Sequence, residues 1–405
     1  MQYGSEKIIE VKGKSNKINL AANTAAVELL IEYHTEESRE VIKESLEKLL
    51  EEEALGAIGV EKRNQIKKER RGYLHSSYKR TIETTTGIIQ IRKPKVRMKE
   101  AADSFRSKIL PYYQRRTEEL SREIMMIYFL GSSCRKTLSL LQSINEVGLS
   151  PGGISRVVKT IQERAEKFHL RQIENRYKII WIDAMGQTVR EKGREVLLLV
   201  LGEDYSGRKE LIDYRIANAE TEQNYEKFFN DLFGRGLKQP ELFVHDGHIG
   251  LTSALKTIYP YARQQVCIIH KRRDVISKTS QTNKAVLSEE ISAIFSSKDK
   301  NEAIQRQREF IEKWKNKEPD AVRSLKFQFH YTITFYEFDR SIINKIRTNN
   351  PIERYIEEIR RRTIPMRYFQ NEKSFDRLIF GIISILNVNI RKGVYQRSDF
   401  YFHPN

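Results

Sequence analysis

Between Tyr177 and Ile269 the chain sets out strand and helix signals in an order that few folds accept. Tyr177 to Asp183 (YKIIWID), Glu195 to Gly202 (EVLLLVLG) and Lys209 to Ile216 are short apolar runs with no helical pattern between them, so they read as three consecutive strands. A helix follows from Thr221 to Phe233 with Tyr225, Phe228, Phe229 and Leu232 on one side, then a buried strand over Glu241 to Asp246 (ELFVHD). A second helix, Leu251 to Ile258, leads to a fifth strand over Gln264 to Ile269. Three strands, a crossover helix, a strand, a helix and a strand make a mixed sheet covered by helices, an α/β fold.

Two of these runs end in an acid. Asp183 and Asp246 each close an apolar strand and precede a glycine within three residues, which places a carboxylate on a rigid element at the rim of the sheet. For one strand-end Asp, a turn or cap is the ordinary role. Two on neighbouring strands can bind divalent metals through oxygen. A third acid comes from Asn350 to Arg362 (NPIERYIEEIRRR), a basic helix with Pro in its first turn and Glu353 beside it, flanked by Arg347 and Arg354. Glu357, one helical turn on, is the rival for that position. Between Asp246 and Glu353 lies a helical, amphipathic block, roughly Val275 to Asp339, containing Trp314. Two divalent ions about 3.5–4 Å apart need carboxylates around them to offset their repulsion, and three acids supply that. Asp204, in EDYSG, reads as a turn acid.

The charge says what such a site faces. Lys and Arg number 72 against 54 Asp and Glu, a formal charge of +18, and this excess calls for a polyanion. Thr24 to Leu55 reads as an acidic amphipathic helix or helix pair, whereas residues 61–100 carry 13 Lys and Arg against 4 Asp and Glu. Within that stretch TIETTTGIIQIRKPKVRMK alternates around Gly87 as a hairpin with a basic second strand, suited to a phosphate backbone or a groove. Tyr73, His75 and Tyr78 are interleaved with its cations. From Thr117 to Lys167 the pattern is all helix, with a Gly-Leu-Ser-Pro turn before a helix bearing Arg156, Lys159 and Arg164. That is a helix-turn-helix signature, which an ordinary helical hairpin shares. Two distant cysteines, Cys134 and Cys267, argue for a reducing compartment, and the absence of a signal-peptide core or membrane-length run points to a cytoplasmic, nucleoid-associated protein.

In sequence order, IDAMG around Asp183, HDGHIGL around Asp246, QQVCIIHK ending beyond His270 and RTNNPIERYIEEIRRR around Glu353 resemble the bacterial insertion-sequence transposases of the Mutator-like superfamily. Weaker echoes are GYLHSSYKRTIETTTGIIQIRKPKVR, YFLGSSCRKT and LSPGGISRVVK. The resemblance implies an RNase H-like catalytic core interrupted by an all-α insertion and preceded by a helical and hairpin DNA-binding region. The expected segments are 1–60, N-terminal helices; 61–116, basic hairpin region; 117–172, helix-turn-helix-like region; 173–274, first part of the core; 275–340, α-helical insertion; and 341–405, C-terminal core helices. It also implies an Asp183, Asp246, Glu353 triad holding two Mg²⁺ or Mn²⁺ ions, double-stranded DNA (terminal inverted repeats and target) as partner, and a homodimer or larger assembly. Each DNA step is then an in-line attack at phosphorus: strand hydrolysis, then transfer of the 3′-hydroxyl to target. A nuclease or resolvase without strand transfer, or a domesticated DNA-binding protein without catalysis, are the alternatives. The family's Cys-x-x-His pair falls on Cys267 and His270. Two ligands do not close a zinc site, even with His245 and His248 nearby, so His270 is expected near the scissile phosphate or as a packing group. The residues expected to contact DNA are Arg80, Arg92, Lys93, Lys95, Arg156, Lys159, Arg347, Arg354, Arg361 and Trp314, the last stacking on an unpaired base or else lying in the helical core. Two departures from the family pattern, Ala184 after the first acid and Phe338-Asp339 in place of a Phe-Pro pair, touch no triad acid.

Overall fold

The computed structural model describes residues 36–60, 70–100, 105–145 and 150–391. The chain divides into two compact units: residues 1–124 with 134–154, and residues 125–133 with 155–405. The expected helix beginning at Thr24 is described from Glu36 onward, its earlier part lying outside the described residues.

In the first unit, helix α1 (Glu36–Ala57) lies on an antiparallel hairpin, β1 (Gly72–Thr84) and β2 (Gly87–Met98). Thr84 pairs with Gly87 across a two-residue turn, and Gly87 takes a φ of 121°, open to glycine but strained for other residues. The apolar stripe of α1, Ile42, Leu46 and Leu50, meets Ile82, Ile89, Ile91 and Leu110. Its acids also have work inside the unit: Glu47 accepts the Arg92 N–H at 2.6 Å, and Glu53 accepts from Ser107 and the backbone at Lys108. Helices α2 (Glu118–Phe129), α3 (Cys134–Asn145) and α4 (Pro151–Lys159) bear out the all-helical reading of that stretch; the turn between α3 and α4, residues 146–149, lies outside the described residues.

The second unit is built on a five-stranded mixed sheet of order β5-β4-β3-β6-β7. Strands β3 (Tyr177–Val189), β4 (Gly193–Asp204) and β5 (Lys209–Ala217) pair antiparallel; β6 (Leu242–His245) and β7 (Arg263–Val266) join in parallel. Helices α6 (Glu222–Gly234) and α7 (Ile249–Ile258) make the crossovers and bury Tyr225, Phe228, Phe229, Leu251 and Leu255 against Ile180, Ile182, Leu198 and Val200. Alternation along β3 turns Trp181 and Asp183 to the other face, where α14 (Asn350–Thr363) packs. At the edge of the sheet α15 (Glu372–Arg391) lies along β5, and the Asn387 side chain both accepts the Leu211 N–H at 2.8 Å and donates to its carbonyl at 3.0 Å.

Two strand boundaries differ from expectation. Asp183 is not the end of its strand, because β3 continues to Val189 against β4. It does lie just past the parallel ladder, since β6 pairs only with Ile179 to Trp181. The fifth strand stops at Val266, and α8 (Ile268–Ser277) begins where a strand was expected to continue. Ile268, Lys271 and Val275 are its buried residues, a helical spacing that the β-branched pair at 268–269 disguises. The helical block follows as α9 (Lys284–Phe295), α10 (Lys300–Trp314), α11 (Pro319–Lys326) and the short α12 (Phe329–Thr332), with α13 (Arg340–Ile346) leading into α14. Buried Gln265 ties this block to β7: its amide donates to the Thr332 carbonyl at 3.0 Å and accepts the Phe335 N–H at 2.7 Å. Asp204 is the turn acid it was expected to be, accepting the backbone N–H groups of Ser206 and Arg208. Among the described residues no helix is long and apolar enough to cross a membrane.

Candidate active site

The acids from three elements meet on the α14 face of the sheet. Asp183 is fixed by β3, and its Oδ1 accepts the Ala184 N–H at 2.8 Å. Asp246 follows β6 directly; its Oδ1 accepts the His248 N–H at 2.9 Å, a turn that depends on Gly247 at φ 92°, where a Cβ would meet Val266 at 2.9 Å. Glu353 projects from the first turn of α14, with its Oε1 3.7 Å from His270 Nε2 on α8. Burial, with the Asp246 and Glu353 charges, pushes the Asp183 carboxyl up to about 7, against the Ala184 hydrogen bond and the Arg360 charge. The third acid reaching Asp183 is therefore Glu353, while Glu357 is exposed. Each Asp has Oδ1 tied to backbone while Oδ2 has no such tie, and carboxylate oxygens are the kind of donor that hard divalent cations take. As the side chains stand, no three His, Cys, Asp or Glu groups among the described residues close on a point a metal ion could take.

Among the described residues, the histidines beside Asp246 are not gathered with a third ligand. His245 is wholly buried, its Nδ1 accepts the Gly247 N–H at 3.1 Å, and Nε2 therefore carries the proton and faces Gln264 Oε1 at 3.3 Å. Burial pulls its pKa down to about 4, so it stays neutral. Cys267 is buried, and its sulfur accepts the backbone N–H of Asn349 at 3.3 Å. His270 faces Glu353 instead of joining Cys267 around a metal.

The cations separate into two groups. Arg92 and Lys95 point outward from the hairpin, with Tyr78 under Lys95 and Tyr73 under Arg70 and Lys99. Lys93, expected to meet DNA, is buried and donates to the Leu110 carbonyl, because the inward alternation of Ile89 and Ile91 continues to it. Arg80 spends its guanidinium on the carbonyls of Pro111, Tyr112 and Gln114. In the second unit Arg156, Lys159 and Arg354 are exposed and Arg347 is partly so. Arg361 pairs with Glu358, and it is Arg360, seven residues beyond Glu353 on the same helix face, whose charge reaches Asp183. Sequence reasoning missed Arg360, although the seven-residue spacing was there to find it. Trp314 is not offered to a base: it is buried in the helical block against Phe310, and its indole N–H donates to Glu290 at 2.7 Å.

The family model of the Mutator-family transposases matches residues 14–392. The chain is 28% identical to the transposase of insertion sequence element IS905 from Lactococcus lactis, over 89% of this chain and 93% of that one. It is 29% identical to the ISRM5 transposase of Rhizobium meliloti, over 88% and 89%. It is 25% identical to the IS256 transposase in transposon Tn4001 of Staphylococcus aureus, over 92% and 96%. Among solved structures, the Drosophila P element transposase strand transfer complex aligns over 68% of this chain and 79% of that one at 11% identity, with a TM-score of 0.29, too slight a likeness to carry a conclusion.

Proposed function

Because the chain belongs to the Mutator family of transposases, we propose that it cleaves DNA at the ends of its insertion sequence and joins the freed 3′-hydroxyl to target DNA. Asp183, Asp246 and Glu353 are the acids that would hold two Mg²⁺ or Mn²⁺ ions, in a core we read as RNase H-like. When bound, such ions make water or a 3′-hydroxyl nucleophilic and neutralise charge on the leaving oxygen. The observation that carries this reading is that a buried Asp183 carboxyl, pushed up to about 7 first by burial, also feels the charges of Asp246 and Glu353 from two other elements, on a chain of net charge +18. Acids gathered beside a polyanion repel it unless cations intervene. Their closure around those cations belongs to this proposal and not to the resting arrangement.

The protein's own groups supply the rest. The sheet and α14 carry the three carboxylates on separate elements, so the fold brings the acids near one another before substrate arrives. Arg354, exposed beside Glu353, would meet a phosphate, as would Arg347, partly exposed six residues before Glu353. The outward cations and tyrosines of the β1–β2 hairpin and the exposed Arg156 and Lys159 are candidates for gripping the terminal repeats. Holding two ends at once calls for at least two copies of the chain.

The test is a labelled duplex carrying the element's end, incubated with protein and Mg²⁺ or Mn²⁺, beside Asp183→Asn, Asp246→Asn and Glu353→Gln. Metal-dependent nicking and joining, lost in all three while DNA binding persists, is the expected result. Nicking without joining would make the protein a nuclease, and binding without cleavage a non-catalytic DNA-binding protein. Glu357→Gln is expected to stay active.

A further inference from the structure

Glu353 enters the site from a helix far along the chain from β3 and β6, so something has to set the start of that helix against both strands. Asn349, the residue before α14, is wholly buried, hydrogen-bonded directly to β3 and α14 and, through Cys267, linked to β6. Its side-chain Nδ2 donates to the Ile182 carbonyl at 3.1 Å, in the peptide that leads directly into Asp183. Its backbone N–H donates to Cys267 Sγ at 3.3 Å, and the Cys267 N–H in turn donates at 2.8 Å to the carbonyl of His245, the residue before Asp246. Its own carbonyl accepts the Glu353 N–H at 3.1 Å. A parallel tie runs from the Ile268 N–H to the Arg347 carbonyl, 3.1 Å.

Resting on the function proposed above, we infer that Asn349 is the positioning residue that sets the spacing of the three carboxylates, with Cys267 as its partner. This assigns the Cys-x-x-His pair a task that needs no zinc: the sulfur anchors the start of α14, and the imidazole one turn on faces the acid that helix carries. The choice of an amide has a physical reason. Asn349 Oδ1 is buried without a hydrogen-bond partner, a cost an apolar side chain would avoid. A residue selected for packing alone would not leave that acceptor stranded; one selected to donate to the Ile182 carbonyl has to carry it. Asp in its place would set a carboxylate oxygen against that carbonyl, and Ser is too short to span the same distance.

The full-length protein is compared with Asn349→Ala, Asn349→Asp and Asn349→Ser in three measurements: Mn²⁺ binding by loss of the free-ion EPR signal, strand cleavage under saturating Mn²⁺, and binding of the element-end duplex. Positional errors on the scale of 1 Å cost roughly 10²-fold in rate. The expected result is a cleavage rate down by about that factor and Mn²⁺ affinity weakened about tenfold, with DNA affinity within twofold of wild type. Should the Asn349 variants lack a cooperative melting transition, Cys267→Ala and Cys267→Ser decide: Ala is expected to weaken Mn²⁺ binding and Ser, which keeps an acceptor, to recover most of it. Folded Asn349→Ala, or Cys267→Ala, with wild-type Mn²⁺ affinity and cleavage overturns the inference while the site reading stands. Wild-type protein that neither binds Mn²⁺ nor cleaves, or Asp183→Asn that cleaves normally, overturns both.

Discussion

Asp213 on β5 and Asp183 on β3 stand two strands apart in one sheet, each with other acids close by. Asp213 is 1% exposed and fully answered: Arg235 donates to Oδ2, and His169 bridges Oδ1 at 2.8 Å to Asp376 at 3.1 Å. Arg235 also holds Asp231, and the Tyr214 hydroxyl donates to Asp376 at 2.6 Å. Around Asp183 the Arg360 charge reaches the carboxyl and a histidine stands 3.7 Å from Glu353, but among the described residues no Lys or Arg forms an ion pair with any of the three acids. A carboxylate cluster that the fold neutralises is an architectural joint, here between α5 (Gln162–Leu170), β5 and α15. One left without Lys or Arg partners is where the function proposed above would bring a cation.

The sharpest way to break this contrast is Asp213→Ala. It takes one of two carboxylates from both Arg235 and His169, and should destabilise the protein by about 3 kcal/mol in urea denaturation. A loss below about 1 kcal/mol would mean the joint is dispensable. Next comes pH. Burial alone would lower the His169 pKa, but its hydrogen bonds to Asp213 and Asp376 outweigh that and raise it from 6.5 to about 9. With the folded value above the unfolded one, the stabilisation is complete below about pH 6.5 and fades as pH climbs through 9. The amplitude is on the order of 3 kcal/mol, and His169→Gln should flatten that limb of the stability profile.

Asp183 tests the other half. Its folded pKa lies above the ordinary 3.8 of an Asp, so without divalent cations its contribution is fully present below about pH 4 and is lost as pH rises through 7. Asp183→Asn should remove that slope and, at pH 8 without metal, raise stability by roughly 1 kcal/mol, read as a melting temperature a few degrees higher. Unchanged or lower melting would mean the cluster is already compensated. The smallest effect separates two adjacent arginines on α14. Arg361→Ala loses only an exposed pair with Glu358, about 0.5 kcal/mol or less, whereas Arg360→Ala should move the Asp183 titration upward, visible by carboxyl NMR.

Much of this was legible in the chain because its signals are local. The runs YKIIWID and EVLLLVLG mark β3 and β4 by composition, and Asp246 can be found because ELFVHD is a short apolar run closed by an acid. Lys93 carries its inward alternation in the sequence, but as one cation among many it reads by charge before register. Trp314 in sequence fits stacking and packing equally, because the Glu290 partner that decides for packing lies 24 residues earlier. Asn349 could not be read at all: in the sequence it is half of an Asn-Asn pair before a helix, and its meaning lies in a carbonyl 167 residues away.

The Asn387 amide occupies both backbone groups of Leu211, as a sixth strand would. It arrives 176 residues after the strand it completes. At ordinary synthesis speeds of about 5–20 residues per second, β5 waits roughly 9–35 s on the ribosome with those groups unclaimed. The open edge of a nascent sheet is a template for wrong partners. The chain's last described helix therefore doubles as the seal of its sheet, and truncation before Asn387 should yield aggregates during translation before it yields any measurable loss at the acids.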